Sequence, residues 1–116
     1  MRIVGWIPAS VNKLTTRDHW AVKRRIKGVD RDTVHAAAIL SQIPVANDRR
    51  SVHCHVVYPQ GQRRFDRDNL RKSLLDALVS CAAIKNDSPK WLISDTITDS
   101  RGDGDIPVTY ITVSEA

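Results

Sequence analysis

SVHCHVVYPQGQRRFDRDNLRKSLLDALVSCA, residues 51–82, decides how this chain is read. Its first part alternates: Val52, Cys54, Val56 and Tyr58 point one way and His53, His55 and Val57 the other, the two-residue period of a strand with one face in a core. Pro59 and Gly61 close that strand, because proline cannot donate to a ladder and glycine accepts a tight turn. After a charged approach from Arg63 to Asn69 the period becomes helical. Leu70, Leu74, Leu78 and Cys81 fall near one face, while Arg71, Lys72 and Asp76 supply polar positions. The spacing predicts a helix over Asp68 to Ala83 and a turn over Asn86 to Pro89.

Toward the amino terminus, Arg2 to Ile7 alternates loosely and stops at Pro8, which suits a first strand, and Ala9 to Lys13 forms a polar connection. From Thr16 to about Gln42 the pattern is helical, with Thr16 or Asp18 as the cap and Trp20, Ile26 and Ala36 to Leu40 as apolar contacts. Gly28 can split this segment, with Asp30 or Asp32 capping a second piece, so one bent helix and two short ones are both open. Toward the carboxyl end, Trp91 to Thr98 and Ile106 to Ser114 alternate like strands. The intervening SRGDGD has the Gly and Asp content of a turn and predicts a β-hairpin. The order β-α-β-α-β-β is that of an α+β fold, a small mixed sheet of about four strands covered by two or three helices.

A chain of 116 residues buries one core, so a single domain over residues 1–116 is expected. Hydrophobic residues at 41% and charged residues at 27% leave no reason to invoke disorder or a membrane span. No run approaches the roughly 20 apolar residues that cross a bilayer, and MRIVGWIP lacks the apolar length of a signal peptide, so a cytoplasmic protein is expected. Cys54 and Cys81 fall in periodic apolar segments and read as small buried hydrophobes rather than a disulfide. Eighteen Lys and Arg against thirteen Asp and Glu give a net charge of +5, which favours a polyanionic partner, nucleic acid first.

The phrase RRFDRDNLRK sets Asp66 and Asp68 two residues apart at the entrance to a helix, among arginines. In extended backbone such a pair projects to one side, where both carboxylates can face a hard cation such as magnesium. Asp68, Lys72 and Asp76 are spaced by four and share a helix face, so the lysine stands beside the acids. A metal ion assists phosphodiester hydrolysis by activating water and neutralising phosphate oxygens, and Lys72 can add positive charge or orient the water. The same acids also read as helix caps, since Asp is a favoured N-cap and the helix dipole draws negative charge to its first turn.

The order DxDN (Asp66, Asp68, Asn69), then Lys72, then DAL (Asp76 to Leu78), then Asp87 in a turn resembles the RusA family of Holliday-junction resolvases. The similarity is strongest over Arg63 to Asp87, with a fainter echo in PASVNK at Pro8 to Lys13. The resemblance implies a homodimeric, magnesium-dependent endonuclease of a bacterial or phage-infected cell, with manganese able to substitute, that makes paired nicks across four-way DNA junctions. It implies Asp66, Asp68 and Asp87 as metal carboxylates, Lys72 as a catalytic partner, and Asp76 and Asn69 as supporting residues. Some relatives carry an acid where Asn86 stands, which argues against a metal role for position 86. A junction has approximate two-fold symmetry and one short chain supplies one acidic cluster, so symmetric incision calls for two copies.

DNA phosphates are expected to meet Arg63, Arg64, Arg67 and Arg71 beside the acids, Asn12 and Lys13 in the amino-terminal echo, and Lys23, Arg24, Arg25, Lys27, Arg49 and Arg50 elsewhere. The Lys23 to Lys27 run also reads as a solvated helix face. Two other functions stay open on sequence: a non-catalytic module that binds branched DNA and uses its acids as caps, and a related nuclease preferring forks or flaps. His53 and His55 share a strand face that Cys54 does not, so a zinc site is not expected. Trp6, Trp20 and Trp91 read as core anchors rather than base-stacking platforms. The RGD at Arg101 to Asp103 reads as a hairpin tip.

Overall fold

The elements follow the order read from the sequence. The computed structural model describes residues 1–8 and 20–115, with backbone only for 20–27. The elements are β1 (Arg2–Val4), α1 (Trp20–Leu40), β2 (Arg50–Tyr58), α2 (Arg67–Ser80), β3 (Leu92–Arg101) and β4 (Val108–Glu115), an α+β arrangement of four strands and two helices among the described residues. The candidate caps Thr16 and Asp18 lie outside the described residues. Gly28 does not split α1. Asp30 caps nothing and is instead buried in mid-helix, accepting a hydrogen bond from Trp6 Nε1 at 2.8 Å. A carboxylate this deep needs such donors, and this one ties α1 to the segment that follows β1.

The strands form one mixed sheet in the order β1-β4-β2-β3, with β2 parallel to β3 and antiparallel to β4. The expected carboxyl-terminal hairpin is therefore absent: β2 stands between β3 and β4. SRGDGD does turn the chain, but the turn carries it across the end of β2. Gly102 N–H donates to Tyr58 O at 2.8 Å, Gln60 N–H donates to Gly104 O at 3.0 Å and Arg101 Nη1 donates to Pro59 O at 2.8 Å. These bonds satisfy backbone groups that a two-stranded hairpin would have paired internally. A Cβ on Gly102 would meet Val57 Cγ1 at 2.9 Å, so the crossing runs at glycine distance from β2.

The alternation read in β2 decides which face is buried. Val52, Cys54, Val56 and Tyr58 join Ile3, Ile111 and Leu92 from the other strands and Leu74, Leu75, Ala77 and Leu78 of α2 in a single core cluster. Val34 of α1 joins the same cluster, and α1 packs on α2. The opposite sheet face carries a polar ladder: His53 Nδ1 lies 2.5 Å from Thr96 Oγ1, His55 Nδ1 2.6 Å from Thr98 Oγ1, and His55 Nε2 2.9 Å from Ser100 Oγ. Cross-strand polar pairs of this kind support sheet register without burial.

The helix α2 ends earlier than its apolar period. Ala82 takes a left-handed conformation (φ 61°), and Ala83 N–H returns to Leu78 O at 3.0 Å. This closes the helix at Ser80 and drops Ile84 into the core. Arg50, expected among the phosphate-contacting arginines, is corrected here to a buried clamp. Its side chain is 3% exposed. It donates to Pro44 O and Ala83 O at 2.8 Å each, and its Nη2 lies 2.7 Å from Glu115 Oε1. The clamp fixes the chain just before the turn that carries Asp87.

Candidate functional site

The RRFD approach to α2 is anchored from below. Tyr58, the fully buried end of β2, accepts the Phe65 N–H at its hydroxyl (3.1 Å) and meets the Phe65 ring edge-on at 6.1 Å. The anchor presents Asp66 at the N-cap of α2, where its side chain accepts the Asp68 N–H at 2.8 Å and its carbonyl accepts the Leu70 N–H at 3.1 Å. The capping role read for Asp66 is thus present, worth about 1 kcal/mol for an Asp at this position. Asp68 sits in the first turn of the helix, so the two acids do not lie along extended backbone as their spacing suggested. They flank the helix amino terminus, whose dipole favours both charges.

Asp87, Lys72, Asp76, Asn69 and Arg63 are all exposed. Among the described residues Lys72 forms no ion pair with Asp68 or Asp76. Asp87 follows Asn86, whose side-chain oxygen accepts the Ser88 N–H at 3.0 Å and shapes the turn. This gives Asn86 a structural role. Trp91 departs from the core reading: it is half-buried, with Lys85 Nζ 4.4 Å and Lys90 Nζ 5.3 Å from its ring centroid.

The segments meet at Arg71. Its guanidinium donates to both oxygens of Asp95 on β3, at 2.6 and 3.1 Å. The hydrogen bond and charge of Asp95, and then the charges of Asp87 and Asp68, hold its pKa above the ordinary arginine value against a lowering by burial. Carboxylates from α2, from the turn beyond it and from β3 therefore act on one cation. A second group lies further along β3. Asp99, 6% exposed at its side chain, receives Arg67 Nε at 3.2 Å, while Arg64 Nη1 approaches its other oxygen at 3.2 Å, off the line of a hydrogen bond.

Asp95 and Asp99 were missed because they are distant in sequence from the arginines they bind. The signal was present in DTITD: Asp95, Ile97 and Asp99 alternate onto the core face, opposite Val52, Cys54 and Val56 of β2. Acids on that face require cationic partners.

Among the described residues no three carboxylate, histidine or cysteine side chains stand close enough together to hold a metal ion. The donor chemistry of Asp66, Asp68 and Asp87 nonetheless fits a hard divalent cation: all three offer carboxylate oxygens, and Asp68 and Asp87 are exposed and outside any ion pair among the described residues. A soft-metal site at His53, Cys54 and His55 does not fit. The histidines bond across the outer face, while burial pushes the Cys54 thiol up to about 12, far from a thiolate. Asn12 and Lys13 lie outside the described residues, as do the side chains of Trp20, Lys23, Arg24, Arg25 and Lys27. No helix among the described residues is long and apolar enough to cross a membrane. The chain matches no known protein-family model and no curated protein.

Proposed function

We propose that this chain is a magnesium-dependent endodeoxyribonuclease of branched DNA, working as a homodimer to nick four-way junctions in symmetric pairs. The reading rests on the resemblance of the Asp66, Asp68, Lys72, Asp87 pattern to the RusA family. The observation that supports it best is that the charges of Asp68 and Asp87, from separate segments, both act on the Arg71 guanidinium. The acids stand beside Arg63, Arg64, Arg67 and Arg71, so a phosphodiester drawn in by the arginines arrives next to carboxylates.

In this reading Asp66, Asp68 and Asp87, which stand apart in the structure, would close around the cation on binding it, and the cation would supply an activated water and charge neutralisation at the phosphate. Lys72, one helical turn beyond Asp68, orients the water or offsets charge on the phosphate oxygens. Asp76, one turn further, holds the lysine amine, and Asn69 supports the acids. Hydrolysis adds water across one phosphorus–oxygen bond: the water's oxygen joins phosphorus, the bond to one sugar oxygen breaks, and the proton that the water gives up ends on that departing oxygen.

A second reading is a non-catalytic module for branched DNA. The observations favouring it are the capping of α2 by Asp66 and the ion pairs that engage three of the arginines. Cleavage of a synthetic four-way junction, with and without magnesium, separates the two. Wild-type protein is expected to cut with magnesium, and Asp68→Asn to lose cutting while binding the junction as well or better, since a negative charge has gone. Undiminished cutting by the variant refutes the assigned site, and binding without cutting in either magnesium or manganese selects the module. Forks and flaps assayed in parallel show which branch is preferred.

A further inference from the structure

We propose that Asp95 and Asp99 are positioning residues for DNA binding, which lock the guanidinium groups of Arg71 and Arg67 and draw that of Arg64 alongside into a row of phosphate-binding forks beside the entrance to α2. The inference rests on the DNA-binding part of the reading above and is independent of whether the protein cuts.

The geometry carries it. Arg71 is held through two nitrogens by Asp95, Arg67 through Nε by Asp99, and Arg64 lies 3.2 Å from the other Asp99 oxygen. The two carboxylate side chains are largely buried, at 20% and 6% exposure, whereas the arginines are 54%, 61% and 46% exposed in chain order. The acids thus lie beneath and the guanidinium groups face solvent. Each guanidinium has five N–H donors in a rigid fork, so bonds to one carboxylate leave others for a phosphate. Three cations over two anions keep a positive excess in the row.

The Arg71–Asp95 pair stands partly open to solvent and contributes little to folding stability, which leaves preorganisation as its larger effect, whereas the deeper Asp99 also needs its cations to be buried at all. An arginine already immobilised by a carboxylate loses less side-chain freedom when it meets a phosphate. Asp95 and Asp99 share one face of the edge strand, two positions either side of Ile97, so the row follows the sheet edge, and Arg71 within it also feels the charges of Asp87 and Asp68.

The test exploits a conflict of sign. On charge alone, Asp95→Asn and Asp99→Asn each remove a negative charge from a basic face and should tighten DNA binding. If the acids position the arginines, both variants should weaken it. One lost phosphate contact removes about 0.9 from the logarithmic salt slope on duplex, which corresponds to about eightfold weaker binding at 0.1 M salt. Fluorescence anisotropy with a labelled four-way junction and a labelled duplex, across a salt series, reads both quantities.

Asp95→Glu should recover most of the affinity. Asp95→Asn should no longer weaken binding in an Arg71→Ala background, where the positioning route is gone and only the loss of a negative charge remains. Thermal melts report folding, and since Asp99 is the more buried acid, Asp95→Asn decides the matter if Asp99→Asn does not fold. Unchanged or tighter binding by folded Asp95→Asn overturns the proposal, as does an undiminished effect of that change in Arg71→Ala. Wild-type protein that binds without cutting, with Asp95→Asn weaker, supports the positioning role and overturns the nuclease reading. Wild-type protein that cuts, with Asp95→Asn binding as tightly, does the reverse.

Discussion

Replacing Arg50 by alanine should destabilise the protein by about 3–5 kcal/mol, the range for removing one partner of a buried charged network. The magnitude can be built from its contacts. The Ala83 carbonyl loses its charged donor in a buried setting, and an unpaired buried acceptor costs about 1–3 kcal/mol. The Pro44 carbonyl, on an exposed residue, can turn to water and contributes about 0.5–1.5 kcal/mol. Glu115 is 64% exposed at its side chain and rehydrates on release, so its share is at most about 1 kcal/mol. Loss of the buried aliphatic stem accounts for the rest. Against the roughly 6–17 kcal/mol expected of a domain this long, the loss is large but compatible with folding. Urea denaturation followed by circular dichroism measures it, with Glu115→Gln as a control expected to lose less than about 1 kcal/mol. Because Arg50 secures the chain before the Asp87 turn, limited proteolysis should also speed up around residues 85–90 in Arg50→Ala. A loss below about 1 kcal/mol, with no change in cleavage there, would refute the clamp.

Tyr58→Phe removes the acceptor for the Phe65 N–H while keeping the ring, so a destabilisation of about 1 kcal/mol is expected, together with weaker junction cleavage if the RRFD segment must be held in place. Ala82→Gly relieves a left-handed alanine and should raise stability by about 0.5–1 kcal/mol in the same denaturation assay. The Cys54 thiol, raised to about 12 from an ordinary value of 9.0, keeps its proton in the folded state over a range where the unfolded chain has lost it. Its contribution is therefore complete below pH 9 and declines as pH rises toward 12, by up to about 1.4 kcal/mol per pH unit. Cys54→Ala should lack that part of the decline, so the stability gap between the two proteins should narrow between pH 9 and 12.

The order of elements and the buried side of β2 were legible because alternation and helical spacing are local signals that burial then enforces. The pairing of β3 and β4 was not. A Gly and Asp-rich turn states that the chain reverses, but which strand lies alongside depends on β2, whose ladder groups on both edges need partners. At the site, Asp66 was readable as a cap from its neighbours alone. The bonds of Arg71 to Asp95 and of Arg67 to Asp99 span 24 and 32 residues, and no local spacing encodes them. Arg50 looked like one more surface cation beside Arg49, and only the carbonyls of Pro44 and Ala83 give it a reason to be buried.

The sheet order also bears on how the protein is made. Since β4 separates β1 from β2, a nascent chain displaying only the first three strands offers β1 no neighbour to zip onto. The β2-α2-β3 unit can assemble while synthesis continues, but the opposite margin of the sheet must wait until β4 emerges from the ribosome, at roughly 5–20 residues per second. Stalled or shortened products lacking β4 would leave the backbone N–H and C=O groups along one edge of β2 unpaired, a bare ladder open to aggregation and to proteolysis.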